Sequence, residues 1–140
     1  MSTVAPVLDS DVLIDYLRGA GPGRALVAAM RERLAYRVTA VTALELALGA
    51  SYAVDPAPVN ALLAAPCLPL NRSSGLRAGV ILRELREAGR PIEIRDAIQA
   101  AICIHEAAPL VTNNLRHFAR VRDLDAISGE QALLRWGRPS

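Results

Sequence analysis

Short apolar runs and longer amphipathic stretches take turns along this chain, and their order predicts strands interleaved with helices. Val4 to Leu8 is an apolar run that stops abruptly at Asp9. It reads as a buried strand with a carboxylate at its C-terminal end, where open α/β sheets place their ligands. Ser10 and Asp11 can cap the helix that follows, which Val12, Leu13, Ile14 and Leu17 carry and Gly19 stops. Beyond the Gly19–Gly23 loop, Leu26, Val27 and Met30 give Arg24 to Arg33 helical spacing. Arg37 to Val41 is β-branched and weakly alternating, which predicts a second strand. Thr42 and Glu45 then have the spacing of a capping box, opening a helix that runs through Leu44, Leu46 and Leu48 to Gly49.

The alternation continues to the end of the chain. Tyr52 to Ala65 holds a helix start at Asp55-Pro56, and Cys67 to Leu70 is a short strand. Ser73 to Ala88 is the longest predicted helix, with Ala78, Ile81, Leu82 and Leu85 on one face and Arg83, Arg86 and Arg90 in a stripe on another. Ile94 to Ala107 is the next helix, with Asp96 in its first turn and Ala97, Ala100 and Ala101 permitting close packing. Pro109 to Thr112 is a buried strand, Asn113 to Phe118 a turn with one turn of helix, Leu124 to Ile127 a final strand and Gly129 to Leu134 a terminal helix. Together they predict a three-layer α/β sandwich, a mainly parallel central sheet flanked by helices, in one domain over residues 1–140.

Composition narrows this picture in two ways. The chain is 52% hydrophobic but only 4% aromatic, so its core must be built from Ala, Leu, Val and Ile. All 16 basic residues are arginine, which excludes any chemistry that needs a lysine ammonium. Arginine also suits bidentate contact with phosphate, although a formal net charge of +2 does not by itself demand a polyanionic partner. Cys67 and Cys103 are isolated and read as small buried hydrophobes of a cytosolic protein. The N-terminal apolar stretch has no basic flank and is interrupted by Asp9 and Asp11, so neither a signal peptide nor a location outside the cytoplasm is expected.

Three acids sit where carboxylates are costly. Asp9 closes the first strand, Glu45 is embedded among Val41, Ala43, Leu44, Leu46, Ala47 and Leu48, and Asp96 opens an alanine-rich helix. On Asp9 and Asp11 alone, plain helix capping is the competing reading. If the three converge, a pair at roughly 4 Å repels by about 4 kcal/mol at an effective dielectric near 20. A bound cation or raised pKa values would relieve that repulsion. Oxygen donors alone point to Mg²⁺ or Mn²⁺ rather than zinc. Such a cluster suits phosphodiester hydrolysis, because the metal lowers the pKa of a water and offsets charge building on phosphorus.

Four segments in this order resemble the PIN-domain ribonucleases of the VapC toxin type: Val7-Leu8-Asp9-Ser10-Asp11-Val12-Leu13-Ile14, Leu44-Glu45-Leu46-Ala47-Leu48-Gly49-Ala50, Ile94-Arg95-Asp96-Ala97-Ile98-Gln99-Ala100-Ala101 and Leu110-Val111-Thr112-Asn113-Asn114-Leu115-Arg116-His117-Phe118. The resemblance implies a PIN-like fold and a Mg²⁺- or Mn²⁺-dependent endoribonuclease acting on structured RNA such as tRNA or rRNA. It further implies silencing by a VapB-type antitoxin and assembly as a homodimer. Carried over by position, Asp9, Glu45 and Asp96 match the metal-binding catalytic acids. Ser10, Asp11 and Thr112 match supporting positions. The fourth acid is missing: Asn114 and His117 stand where relatives carry carboxylates, so Asn114 becomes the expected further metal ligand and His117 a supporting one. Under this reading Arg83, Arg86 and Arg90 face RNA, whereas the plainer alternative is a solvated face shared with Glu84 and Glu87.

Asp9-Ser10-Asp11 also resembles the Asp-x-Asp of haloacid-dehalogenase-type phosphatases, but that resemblance implies a lysine, as does a phospho-acceptor receiver domain. A PIN-like module that binds RNA or antitoxin without efficient cleavage is the surviving alternative, motivated by Asn114. Asp15 is expected to pair with Arg18 on the helix surface. His105 is expected to be packed or exposed rather than catalytic. Tyr16, Tyr36, Tyr52 and Trp136 are expected in the core or at its rim.

Overall fold

The computed structural model describes residues 4–137. Its strands are short: β1 (Val7–Leu8), β2 (Val38–Thr39), β3 (Cys67–Leu68), β4 (Leu110–Val111) and β5 (Ala126–Ile127). All pair in parallel, in the orders β1-β4-β5 and β2-β3, and a parallel bridge between Val7 and Arg37 joins the two pieces. The continuous order is therefore β3-β2-β1-β4-β5. Pro6 and Pro109, which have no N–H to donate, precede β1 and β4, and their carbonyls accept from Arg37 and Val7 at 2.8 Å each.

Successive strand residues point to opposite faces, and each face has its own core. Leu8, Val38 and Val111 pack with α1 (Ser10–Arg18), α2 (Arg24–Met30), α3 (Ala40–Leu48), α5 (Pro56–Leu62) and α9 (Gly129–Trp136). Between α3 and α5 lies α4 (Ala50–Val54). Val7 and Leu110 face the other way, against α6 (Arg72–Glu87), α7 (Ile94–His105) and α8 (Leu115–Phe118). Ala97, Ala100 and Ala101 are fully buried there, and these small side chains let α7 sit close against α6 and the sheet. The result is the expected three-layer α/β sandwich. Among the described residues, no helix is long and apolar enough to cross a membrane.

The element order follows the sequence pattern, with three local corrections. Helix α3 starts at Ala40, inside the stretch expected to be strand, because Thr39 rather than Thr42 is its N-cap and accepts from Thr42 N at 3.2 Å. Glu45 is consequently a turn further into the helix than a capping box would place it. The helix start expected at Asp55-Pro56 is present, since Asp55 ends α4 and caps α5 through Ala57 N at 3.1 Å. Cys67 is exposed, since β3 is an edge strand, while Cys103 is buried as expected.

The third correction concerns Asp15, which is buried rather than paired on the surface with Arg18. Its Oδ2 accepts from Gly23 N at 2.8 Å and from Asn113 Nδ2 at 2.7 Å. It thereby ties the loop after α1 to the loop after β4. Gly21, at φ +109°, passes so close to this carboxylate that a Cβ there would overlap it. Asp15→Ala would strand a buried backbone N–H and an amide. It is expected to lower unfolding free energy by roughly 2 kcal/mol. Urea titration showing a loss below about 0.5 kcal/mol, the size of an ordinary surface change, would show that the clasp contributes little.

Candidate functional site

The sheet order reverses direction at β1: the chain steps from β1 to β2 and β3, then returns past β1 to β4. Open parallel sheets form a crevice at such a switch point, outside the strands' C-terminal ends. Leu8 and Val111 are register partners, so Asp9 and Thr112 leave the sheet side by side. Thr112 Oγ1 donates to Asp9 Oδ2 at 2.8 Å and accepts from Asn114 N at 3.0 Å. Asp9 Oδ1 accepts from Ser10 N at 3.0 Å, capping α1, and from Gln99 Nε2 at 3.2 Å.

Asp9 is 7% exposed, and its carboxyl is pushed up to about 7. Burial is the main cause, followed by the charge of Asp11; hydrogen bonds from Thr112 and Ser10 oppose the shift, and Glu45 adds a little more. Asp11, in the first turn of α1, is raised to about 6, again chiefly by burial. Asn113 N donates to its Oδ2 at 3.2 Å, while its buried Oδ1 has no hydrogen-bond partner. The Asp96 carboxyl is also raised, by burial first and then by Glu93 and Glu45, with His117 and Arg95 opposing.

Glu45 links the two halves of this constellation. Ser10 Oγ donates to its Oε1 at 3.2 Å, and Arg95 lies 3.4 Å from its Oε2. Its charge raises both Asp9 and Asp96. Asp96, Asn114 and His117 share a cavity of ≈ 430 Å³ with Pro91, Ile92 and Glu93. Asn114 Nδ2 and His117 Nδ1 are 2.8 Å apart, which leaves Asn114 Oδ1 as the oxygen for a cation. Among the described residues, no three His, Cys, Asp or Glu side chains form a ready-made metal cage. Both oxygens of Glu45 are taken up, one by a hydroxyl and one by a guanidinium. The donor chemistry still fits a hard divalent cation: oxygens on acids made costly by burial and mutual repulsion, one of them unpartnered.

The arginine stripe is divided. Arg90 lines a groove of ≈ 500 Å³ together with Arg77, Arg120 and Arg122, over Ile81 and Val121. Arg83 and Arg86 are exposed and do not line it. Arg120 donates to the Pro91 carbonyl at 2.9 Å, and Pro91 also lines the cavity beside Asp96, so the groove abuts that cavity. Gln99, Asn113 and Asp15 were not among the sequence-derived site residues. Gln99 carried a usable signal, being the one polar residue between Ala97 and Ile104 and one turn beyond Asp96. His105 is exposed and contacts Asn71 at 3.2 Å, away from the acids. Tyr36 is buried in the core, its hydroxyl donating to the Leu62 carbonyl at 2.7 Å.

The molecule is thus an α/β protein whose parallel sheet collects carboxylates at its switch point. The PIN domain model matches residues 7–124, and the chain belongs to this family of nucleases. No curated protein sequence matches significantly. Solved structures agree on the fold. A chain of the DNA-bound VapBC complex of Salmonella typhimurium superposes with a TM-score of 0.74 at 20% identity, covering 91% of this chain and 99% of that one. VapBC-1 of nontypeable Haemophilus influenzae gives 0.72 at 22% identity, covering 90% and 98%. FitAcB of Neisseria gonorrhoeae gives 0.72 at 19% identity, covering 89% and 97%.

The raised Asp9 carboxyl makes the metal-free fold pH-dependent. Between its ordinary value of 3.8 and about 7, the folded protein holds a proton that the unfolded chain releases. Stability therefore falls as pH rises through that window and levels off above it. Asp9→Asn removes this loss but turns an NH₂ towards groups that donate to Asp9. Relative to wild type, the variant is expected to gain about 3–4 kcal/mol between pH 4 and pH 8. Denaturant unfolding with a chelator present checks this, and a difference independent of pH would contradict it.

Proposed function

We propose that this chain is a single PIN domain acting as a metal-dependent endoribonuclease of the VapC type, cutting structured RNA. What supports the reading is Glu45, at the switch point of a parallel sheet, whose charge raises the carboxyls of both Asp9 and Asp96 and whose Oε1 accepts from Ser10 beside Asp9. Asp9, Glu45 and Asp96 would hold Mg²⁺ or Mn²⁺, with Asn114 Oδ1 as an uncharged further donor. When bound, the metal supplies a more acidic water and positive charge against the phosphate. Thr112 and Ser10 orient Asp9 and Glu45 by their hydroxyls. Arg90, Arg120 and Arg122 offer guanidinium groups to RNA phosphates next to the cavity.

Partners belong to the same proposal. Several structural neighbours are toxin–antitoxin complexes, that of Klebsiella pneumoniae among them. On this chain Leu44, Leu48 and Val54 are exposed, and Val54 lines a cavity of ≈ 380 Å³ with Leu17, Pro58 and Val59. This apolar face suits a segment of a VapB-type antitoxin laid along α3 and α4. Exposed Leu70 and Leu76, near the start of α6, offer a second apolar surface consistent with a homodimer.

The weakened-module alternative draws on Asn114, whose amide contacts His117 where a fourth carboxylate would add charge. Cleavage of structured RNA by purified protein, titrated with Mg²⁺ and Mn²⁺, separates the two. Wild type is expected to cut, with more activity in Mn²⁺. Asp9→Asn is expected to lose activity by at least about a hundredfold, as removal of a central electrostatic group does. Asn114→Asp is expected to lower the Mg²⁺ concentration required. A folded wild type that binds RNA but cuts it in neither metal would establish the binding module instead.

RNA contact has its own test, run in chelator so that cleavage plays no part. Arg90→Ala with Arg122→Ala is expected to weaken RNA binding and to reduce the salt slope by about 1–2. Arg83→Ala with Arg86→Ala is expected to change neither. The reverse result would return the contact surface to the outer face of α6.

A further inference from the structure

Gln99 is 1% exposed, and no role has been given to it so far. Its Nε2 donates to Asp9 Oδ1 at 3.2 Å and to Thr42 Oγ1 at 3.0 Å, and its Oε1 accepts from Thr39 Oγ1. Thr39 Oγ1 has one proton. It accepts from Thr42 N as the α3 cap; an ionised Asp9 Oδ1 can only accept, so the carboxamide turns its NH₂ to Asp9 and its Oε1 to the Thr39 hydroxyl. One side chain on α7 thus reaches the end of β1 and both threonines at the start of α3.

Helical spacing gives that contact its consequence. Gln99 lies one turn after Asp96 on α7, and Thr42 lies one turn before Glu45 on α3. Residues three apart share a helix face, so clamping Gln99 to Thr42 sets the separation of the faces bearing Asp96 and Glu45. The contact with Asp9 fixes the third acid relative to both. We infer that Gln99 is the positioning residue that sets Asp9, Glu45 and Asp96 at their mutual distances. The inference rests on the reading that these acids hold a divalent metal. No other side chain fills the position equally well. Asn is one methylene shorter, Glu has no NH₂ to donate and adds charge beside Asp9, and an apolar residue leaves both threonine hydroxyls and Asp9 Oδ1 without this partner.

The test is Mn²⁺ binding, measured by calorimetry on the full chain at a temperature where every variant is folded by circular dichroism. Gln99→Met keeps the length and bulk of the side chain and removes its polar ends. It is expected to weaken Mn²⁺ binding by about tenfold or more, as loss of a partner that orients a metal ligand does. Thr42→Val removes one anchor only and is expected to weaken binding by a smaller factor, which keeps the inference testable should Gln99→Met not fold. A merely structural glutamine would lower the melting temperature and leave the Mn²⁺ dissociation constant of the folded protein unchanged, and that result overturns the inference. A wild type that binds no Mn²⁺ overturns the metal-site reading itself, a different outcome from a Gln99→Met variant that binds as well as wild type.

Discussion

A carboxylate taken out of water has to be given donors, and Asp9 is where this fold meets that requirement. The three it receives come from the backbone at the start of α1, from Thr112 at the end of β4 and from Gln99 inside α7. The last two lie 103 and 90 residues further along the chain. Satisfying one side chain therefore requires β1, β4 and α7 to meet. Parallel pairing of Leu8 with Val111 provides the first meeting, and close packing by Ala97, Ala100 and Ala101 allows the second. The acid remains costly even so, since burial and Asp11 outweigh its hydrogen bonds and hold its carboxyl near 7. A structure organised around a group that it does not fully neutralise fits better with a ligand site than with a device for stability.

Much of this was legible in the sequence because the acids interrupt apolar patterns. Asp9 ends a run, Glu45 stands among alanines and leucines, and Asp96 opens an alanine-rich helix, so each announces itself locally. Element order was legible from the alternation of apolar runs and amphipathic stretches, although strand lengths were overestimated: only two residues of each run enter the ladder. What stayed hidden depends on contacts distant in sequence. Thr39 and Thr42 are both plausible caps three residues apart, and the choice between them follows from pairing of Val38 and Thr39 with Cys67 and Leu68. Asp15 has Arg18 as an obvious neighbour on its own helix. Its true partners, Gly23 and Asn113, are brought to it by a loop closure and a strand crossing.

The arginines show where periodicity stops being informative. The pattern of α6 correctly separates an apolar face from a charged one, with Ala78 and Ile81 buried and Arg83 and Arg86 exposed. It does not show which flank of the helix is walled by another element. The segment after α8 supplies that wall with Arg120, Val121 and Arg122, and so converts one edge of α6 into a groove while leaving the other edge open to solvent. Arg77, on the groove side, is partly neutralised by Asp123 at 2.9 Å. An exposed pair of this kind contributes little to stability, but it spaces the positive charges along the rim.

The acids and the arginines together constrain how activity and its suppression are related. Repulsion among Asp9, Glu45 and Asp96 is relieved by any positive charge brought among them, whatever carries it. Arg95 already illustrates this, lying 3.4 Å from Glu45 and lowering the burden on Asp96. A divalent metal concentrates more charge in less space and can also act on water, which a guanidinium cannot. Under the proposed function, an arginine offered by an antitoxin peptide would draw on the same electrostatic deficit as the metal and block it without distorting the sheet. The exposed apolar residues of α3 and α4 are continuous with the helix that carries Glu45, so a peptide anchored on them would begin its path beside that acid. Under that proposal, catalysis and silencing need no separate machinery, because both follow from leaving a cluster of buried and half-buried carboxylates short of positive charge.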